Sequence, residues 1–228
     1  MKMRSWSSFR NCKTSPFAIS AFVFAAVACA CLIIALASPY WLVSKQDSDF
    51  VRMGLWRICF KNYQHPSLQY DNVFDGCYSI HGHKSESIRN WLQPGWFILV
   101  QCLVTCATLL AVICICLFVY VSLQVEIEIK IFVCAFMFVF EAVAALLAFL
   151  GVCVFGLMCF ERSWIKFPKN NILSWGYGFC VLSTLLLSFA ATGLLFHIFR
   201  LRKQLHRGIV TYHVPLSNRQ MSACSDSL

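Results

Sequence analysis

The sequence predicts an all-α membrane protein, a bundle of four transmembrane helices with a small extracellular antiparallel β-sheet formed by the first loop. Three observations support this fold class. Hydrophobic residues make up 59% of the 228 residues and charged residues only 13%, about half of what a water-facing surface requires. Four long runs are almost free of charge, and the segment after the first run is rich in aromatic and branched residues. This composition excludes a soluble enzyme, a disordered chain and a collagen-like rod.

Each apolar run is long enough to cross a membrane as a helix. A helix needs about 20 residues, at 1.5 Å each, to span a hydrocarbon core of about 30 Å. The runs are continuously apolar rather than alternating, which favours helices over barrel strands. We therefore expect four spans, over residues 17–38, 96–123, 131–158 and 176–199.

Basic residues cluster in the two tails, residues 1–16 and 200–228, which hold most of the formal net charge of +9. An even number of spans places both tails on one side, and their basic character predicts that this side is the cytoplasm. The loops over 39–95 and 159–175 are then extracellular, and the membrane domain covers 17–199. We expect the tails to contact anionic lipid rather than nucleic acid.

The first run also resembles a secretory signal, because a basic segment precedes it and Ala35-Leu36-Ala37 resembles a cleavage site. Its apolar stretch of about 20 residues is longer than the 7–15 of a usual signal peptide. We therefore expect the run to remain as a span.

Fourteen cysteines suggest a disulfide scaffold until they are placed on this topology. Most lie within the apolar runs, where a thiol is a small packing residue. Cys12 and Cys224 are cytoplasmic and should stay reduced. Cys59 and Cys77 lie well inside the extracellular first loop, which predicts a disulfide between them, and the alternative is two free thiols. A closed loop of roughly 15 residues is worth about 3 kcal/mol in the chain-entropy account.

Three segments of the first loop, 40–43, 53–60 and 77–80, are rich in the aromatic and branched residues that favour strands. Turn-forming residues separate them, which predicts a small antiparallel sheet with the disulfide joining two strands. Tryptophans close to the predicted membrane boundaries are explained by an interfacial aromatic belt. They are Trp41, Trp91, Trp96, Trp164 and Trp175.

Trp41, the triplet Gly54-Leu55-Trp56, Cys59 after two further residues, and Cys77 form a recognisable pattern. The pattern resembles the first-loop motif of the claudin superfamily, W…GLW-x2-C…C, which peripheral-myelin-protein-like proteins and calcium-channel γ-subunits share in part. Four spans, a large first loop and a short second loop also resemble that superfamily. The resemblance covers about residues 17–200.

The resemblance implies that the motif residues form the structural core of the first loop, with Trp41 and the Gly54-Leu55-Trp56 triplet anchoring the sheet to the top of the bundle. It also implies that Arg89, shortly before the second span, anchors the loop. Within the superfamily the sequence is most similar to invertebrate claudin-like proteins of septate junctions. That similarity rests on residues 55–60, the long segment between the two cysteines, and residues 91–96.

Glu141 is the one ionisable residue deep within a predicted span, about 15 Å from Lys130 along a helix. Intramembrane acids are costly and often functional, which suggests an ion or proton path. No second acid or base lies at comparable depth, so we expect instead a structural carboxyl group, hydrogen-bonded to a neighbouring span. The candidate partners are the hydroxyl groups of Thr105, Thr108, Ser183 and Ser188.

First-loop charges select ions in claudins, and here acidic and basic residues balance, which predicts no clear charge selectivity. The alternative is an ordinary solvated surface. The residues are Lys45, Asp47, Asp49, Arg52, Arg57, Lys61, Asp71, Asp75, Lys84 and Glu86.

Other candidate sites are weak. His81 and His83 near Cys77 would make a poor metal site, and no catalytic arrangement is recognisable. We therefore expect no metal, no cofactor and no enzymatic activity. The terminal residues Asp226, Ser227 and Leu228 match a PDZ-type ligand, which adds as a strand to a groove in its partner.

The resemblance implies a claudin-like cell–cell junction protein, located in the plasma membrane at lateral contacts. Such a protein contributes to the paracellular barrier and to adhesion, and binds itself or other claudin-like proteins within one membrane and across the intercellular gap. The alternative is an auxiliary, γ-type subunit of an ion channel or receptor. Enrichment at lateral contacts distinguishes the first from the second.

Overall fold

A computed structural model of the chain describes residues 16–45, 49–64, 73–123, 127–161, 164 and 171–225, without the side chains of residues 127 and 208–225. Several predicted features lie outside the described residues. They are the N-terminal tail up to residue 15, Asp47, Asp71, Asp226, Ser227 and Leu228.

Among the described residues, four helices are long and apolar enough to cross a membrane, as the predicted fold class requires. They are α1 Pro16–Ala37, α3 Gly95–Leu123, α4 Ile127–Met158 and α5 Trp175–Ser225, and a short helix, α2 Arg89–Leu92, precedes α3. Within α5 the candidate membrane span is Trp175–Arg207. The helix therefore continues past residue 199, through basic residues that favour helix and end the apolar run.

Small residues bring α1 close to α5. Ala18, Ala21, Ala25 and Ala28 recur every three or four positions along α1 and are buried. A Cβ added to Gly193 of α5 would lie 3.1 Å from the Cβ of Ala21. Such residues let helix backbones approach closely in lipid, where packing rather than the hydrophobic effect holds helices together.

In the described part of the chain, five short strands form one antiparallel sheet at one end of the bundle. They are β1 Leu42–Ser44, β2 Phe50–Met53, β3 Arg57–Gln64, β4 Val73–Ser79 and β5 Asn171–Leu173, in the order β4-β3-β2-β1-β5. The first four come from the loop between α1 and α3, which confirms the predicted first-loop sheet. β5 comes from the loop between α4 and α5 and was not predicted, because so short a strand is defined by its pairing with β1 rather than by a sequence pattern.

The sheet has a bundle face and an outer face. Leu42, Met53 and Ile58 lie opposite one another on β1, β2 and β3 and are fully buried in the core that the sheet shares with the helices. Side chains alternate between the two faces of a strand, so the neighbouring register row, which includes Arg52 and Cys59, faces outward.

Candidate functional site

Trp41 joins three parts of the molecule. Its indole N–H donates a 2.7 Å hydrogen bond to the carbonyl oxygen of Ala35 in the last turn of α1. Its backbone N–H donates to the Met53 carbonyl of β2, and its own carbonyl accepts from the Ser174 N–H just before α5. The side chain is fully buried. Trp41 therefore connects α1, the sheet and the start of α5.

A cluster of aromatic rings lies directly beneath the sheet. The ring of Trp41 packs edge-on against Phe155 of α4 at 4.9 Å, and Trp96 of α3 packs against Trp164 at 4.6 Å. The indole N–H of Trp164 donates to the carbonyl oxygen of Leu92 at 3.2 Å. Buried rings at such distances add stabilisation beyond the area that they bury.

The interfacial-belt interpretation is wrong for two of the tryptophans. Trp41 is 0% exposed and Trp164 is 4% exposed, because both are enclosed by protein rather than by lipid headgroups. Trp175 is 47% exposed and keeps the character of a belt residue.

Gly54 permits a close contact between the end of β2 and the segment that follows α1. A Cβ at this position would lie 1.9 Å from the carbonyl oxygen of Ser38 and 2.7 Å from the Cα of Pro39. Both neighbours are backbone atoms, so a side chain could be accommodated only by moving the chain. The glycine of the motif is therefore needed for a close approach of two backbone segments.

Leu55 anchors the sheet to α3. Its side chain is fully buried, and its carbonyl oxygen accepts a 2.6 Å hydrogen bond from the side-chain amide of Gln101. Gln93 in turn donates to the oxygen of the Gln101 amide at 3.1 Å. Gln101 was not predicted from the sequence, although an isolated amide near the start of an apolar run is a signal that a buried polar partner is nearby.

Trp56 has a more peripheral position than the other motif residues. Its ring is partly buried at the edge of the core, 5.7 Å from the ring of His81. Its carbonyl oxygen accepts the N–H of Ile80, which closes the end of the β3–β4 hairpin. Trp56 therefore ties the hairpin together, while Trp41 and Leu55 make the direct connections to the helices.

Cys59 and Cys77 lie directly opposite each other on β3 and β4 and form the expected disulfide, with an S–S distance of 2.06 Å. Arg52 of β2 covers this bond, with its Nε 3.4 Å from the sulfur of Cys59. The guanidinium also bonds to the Tyr40 hydroxyl and lies 4.5 Å from the centre of that ring. The Tyr40 ring in turn contacts Trp175 at 5.2 Å. The outer face thus presents a continuous row from α5 to the disulfide.

The segment between the sheet and α3 is held partly by aromatic stacking. Trp91 lies parallel to Tyr63 of β3, with ring centres 5.9 Å apart. Burial, together with the nearby Asp49 carboxylate, raises the pKa of Tyr63 to about 12. Arg89 begins α2, but its Nε atom is buried without a hydrogen-bond partner among the described residues. That nitrogen therefore makes no anchoring bond.

Among the described first-loop charges, Arg57 and Lys61 flank Cys59 on β3 and share its outward direction. Both are exposed. Cys77 belongs to the disulfide and is not a free ligand for His81 or His83. In the described part of the chain, no three His, Cys, Asp or Glu side chains come together as a metal site.

Glu141 is buried within the bundle and is only 1% exposed. The expected hydroxyl donors were wrong: those of Thr105, Thr108, Ser183 and Ser188 each donate to a carbonyl of their own helix. Helical serine and threonine often satisfy themselves in this way. Cys114 of α3 lies beside the carboxyl group, and its thiol donates to the carbonyl oxygen of Met137 at 3.8 Å. The Oε2 atom of Glu141 has no hydrogen-bond partner among the described residues.

Two comparisons with known proteins bear on this arrangement. A family model described as "PMP-22/EMP/MP20/Claudin tight junction" matches residues 26–196, which include every motif residue, both loops and the greater part of the four helices. No individual curated protein matches the sequence. The family match, the four helices and the disulfide-linked sheet agree with one another. The chain is a multi-pass membrane protein that belongs to the PMP-22/EMP/MP20/claudin family.

Proposed function

We propose that this protein is a claudin-like component of cell–cell junctions, which contributes to the paracellular barrier and to adhesion. The observation that supports this most directly is the union of both loops in one sheet, because β5 of the second loop pairs with β1 of the first. Trp41 and Leu55 tie that sheet to the helices. A sheet held in this way can present a defined surface to a neighbouring molecule.

The proposed orientation places the sheet outside the cell. A disulfide on the sheet requires an oxidising compartment. The opposite end of the bundle has basic residues, among them Lys130, Arg200, Arg202 and Lys203, as cytoplasmic flanks do. Both termini are then cytoplasmic.

The proposed partners are further copies of this chain or other claudin-like proteins, within one membrane and across the gap. The exposed charges around the disulfide, such as Arg57 and Lys61, would border the paracellular space. We propose that the protein is of the septate-junction type of claudin-like proteins, because the segment between Cys59 and Cys77 is long. The proposed role requires neither catalysis nor a cofactor. A further proposed partner is a PDZ scaffold, which would bind Asp226, Ser227 and Leu228.

A polarised epithelium provides the test. Removal of the protein should lower transepithelial electrical resistance, and re-expression should restore it with the protein concentrated at lateral contacts. An epitope inserted between β3 and β4 should be accessible to antibody on intact cells. Unchanged resistance together with a uniform surface distribution would contradict the proposal, and co-purification with a channel would then favour the γ-type auxiliary subunit.

A further inference from the structure

A basic cluster lies at the end of the bundle opposite the sheet, where α1, α4 and α5 meet. Ile131 of α4, which follows Lys130, packs in one cluster with Ile198 and Leu201 of α5, which follow His197 and Arg200. This packing brings the three basic residues to the same end of the bundle. The Arg200 guanidinium lies 4.3 Å from the ring centre of Phe17 at the start of α1. The three basic groups therefore come from two helices and converge beside a third.

Among the described residues, no acidic side chain forms an ion pair with these basic groups. The described part of the chain provides no ion-pair partner for Lys130 or Arg200. Glu128 is exposed and lies two positions from Lys130, so the two residues point to different sides of α4. The Nδ1 atom of His197 is buried and has no hydrogen-bond partner within the described residues. Within the described residues, the cluster therefore carries positive charge that no ion pair neutralises.

The depth of the cluster corresponds to lipid headgroups. Along α5, His197 lies about 33 Å from Trp175, since each residue rises 1.5 Å, and a hydrocarbon core is about 30 Å thick. On the membrane side of the cluster, Phe132 of α4 and Phe196 of α5 are well exposed, as residues that contact acyl chains are. A ligand that fits both features has an anionic head and an apolar body.

We propose that Lys130, His197 and Arg200 form a binding site for the phosphate group of an anionic phospholipid, whose acyl chains lie along α4 and α5. Lys130 and Arg200 neutralise the phosphate, and the imidazole of His197 forms a hydrogen bond with it through Nε2, because Nδ1 is buried. This site differs from diffuse attraction of the basic tail, because it depends on residues that converge from separate helices. It is independent of the proposed junctional function.

Native mass spectrometry of the full-length, detergent-purified protein tests the site. Titration with dioleoylphosphatidic acid should give a dissociation constant at least fivefold lower than that for dioleoylphosphatidylcholine. Lys130→Gln and Arg200→Gln should each raise the dissociation constant for phosphatidic acid about tenfold. The matched control is Arg202→Gln, which removes the same charge from an exposed position on the next part of α5 and should change the constant less than twofold.

Thermal unfolding without added lipid checks that each variant is folded. Lys130 lies near the end of α4, so its replacement should disturb the fold least. Equal loss in Lys130→Gln and Arg202→Gln would show diffuse attraction and overturn the site. Equal affinity for the two lipids would also overturn it. Inorganic phosphate that bound as tightly, through the same residues, would show a free-anion site and overturn the lipid assignment.

Discussion

The indole N–H of Trp41 donates a hydrogen bond to the carbonyl oxygen of Ala35, at the end of the first membrane helix. The last carbonyls of a helix have no intrahelical donor, so Trp41 satisfies one of them while its ring fills the space beneath the sheet. Trp41 therefore orients the sheet on α1, as the hydrogen bond from Gln101 to Leu55 does on α3.

Replacement of Trp41 should destabilise the protein in two distinguishable steps. Trp41→Phe keeps a ring but leaves the Ala35 carbonyl without its donor, which should cost about 1–3 kcal/mol. Trp41→Ala should cost about 3–5 kcal/mol, because it also creates a cavity. Thermal unfolding of the purified protein, followed with a thiol-reactive dye, measures both. Trp175→Phe, at an exposed position, is the control, and equal shifts in Trp41→Phe and Trp175→Phe would contradict the anchoring role.

Gly54→Ala should prevent stable folding of the sheet, because the new Cβ would overlap the backbone of Ser38 and Pro39. The expected result is intracellular retention of the variant. Gly178→Ala is the matched control, since a Cβ there meets nothing within 4 Å. Surface biotinylation measures both variants, and normal delivery of Gly54→Ala would show that the close approach is dispensable.

Loss of the disulfide should cost about 2–5 kcal/mol, as is typical for a native bond in a small extracellular unit. Cys59→Ser and Cys77→Ser should therefore both lower the amount of protein at the cell surface. Cys153→Ser, which changes a free thiol in α4, controls for cysteine loss in general. Wild-type surface levels in both disulfide variants would remove the bond from the mechanism.

Gln101→Leu should destabilise the junction between the sheet and α3 by about 1–3 kcal/mol, because the buried Leu55 carbonyl loses its donor. Gln64→Leu, at an exposed position on β3, should have little effect. The midpoint of thermal unfolding compares the two. Equal unfolding midpoints for the two variants would show that the hydrogen bond from the Gln101 side chain to the Leu55 carbonyl does not stabilise the protein.

Glu141→Gln should be tolerated, since an amide has nearly the same shape as a carboxyl group and can keep the contact with Cys114. Paracellular permeability and surface delivery should both stay close to those of the wild type. Glu141→Lys is the contrasting variant, because a longer, charged side chain at this buried position should block delivery. A strong change in ion permeability in Glu141→Gln alone would instead favour an ion path.

Local patterns were sufficient to predict most of the fold. Long uncharged runs indicated the four helices, because burial in lipid depends on the composition of one segment at a time. The spacing of Trp41, the Gly54-Leu55-Trp56 triplet and the two cysteines was sufficient to suggest the family, which the family match then showed. The loop sheet followed from the same segment.

Other features depend on segments far apart in the chain, and only the tertiary structure decided them. β5 exists through its pairing with β1. Trp164 lies outside the helices and is buried because Trp96 of α3 and Phe155 of α4 enclose it. Glu141 of α4 and Cys114 of α3 likewise lie beside each other only because the two helices pack together. Hydropathy, which belongs to one segment at a time, determined which segments enter the membrane. Contacts between residues far apart in the chain determined which side chains meet there, and no single segment encodes such a contact.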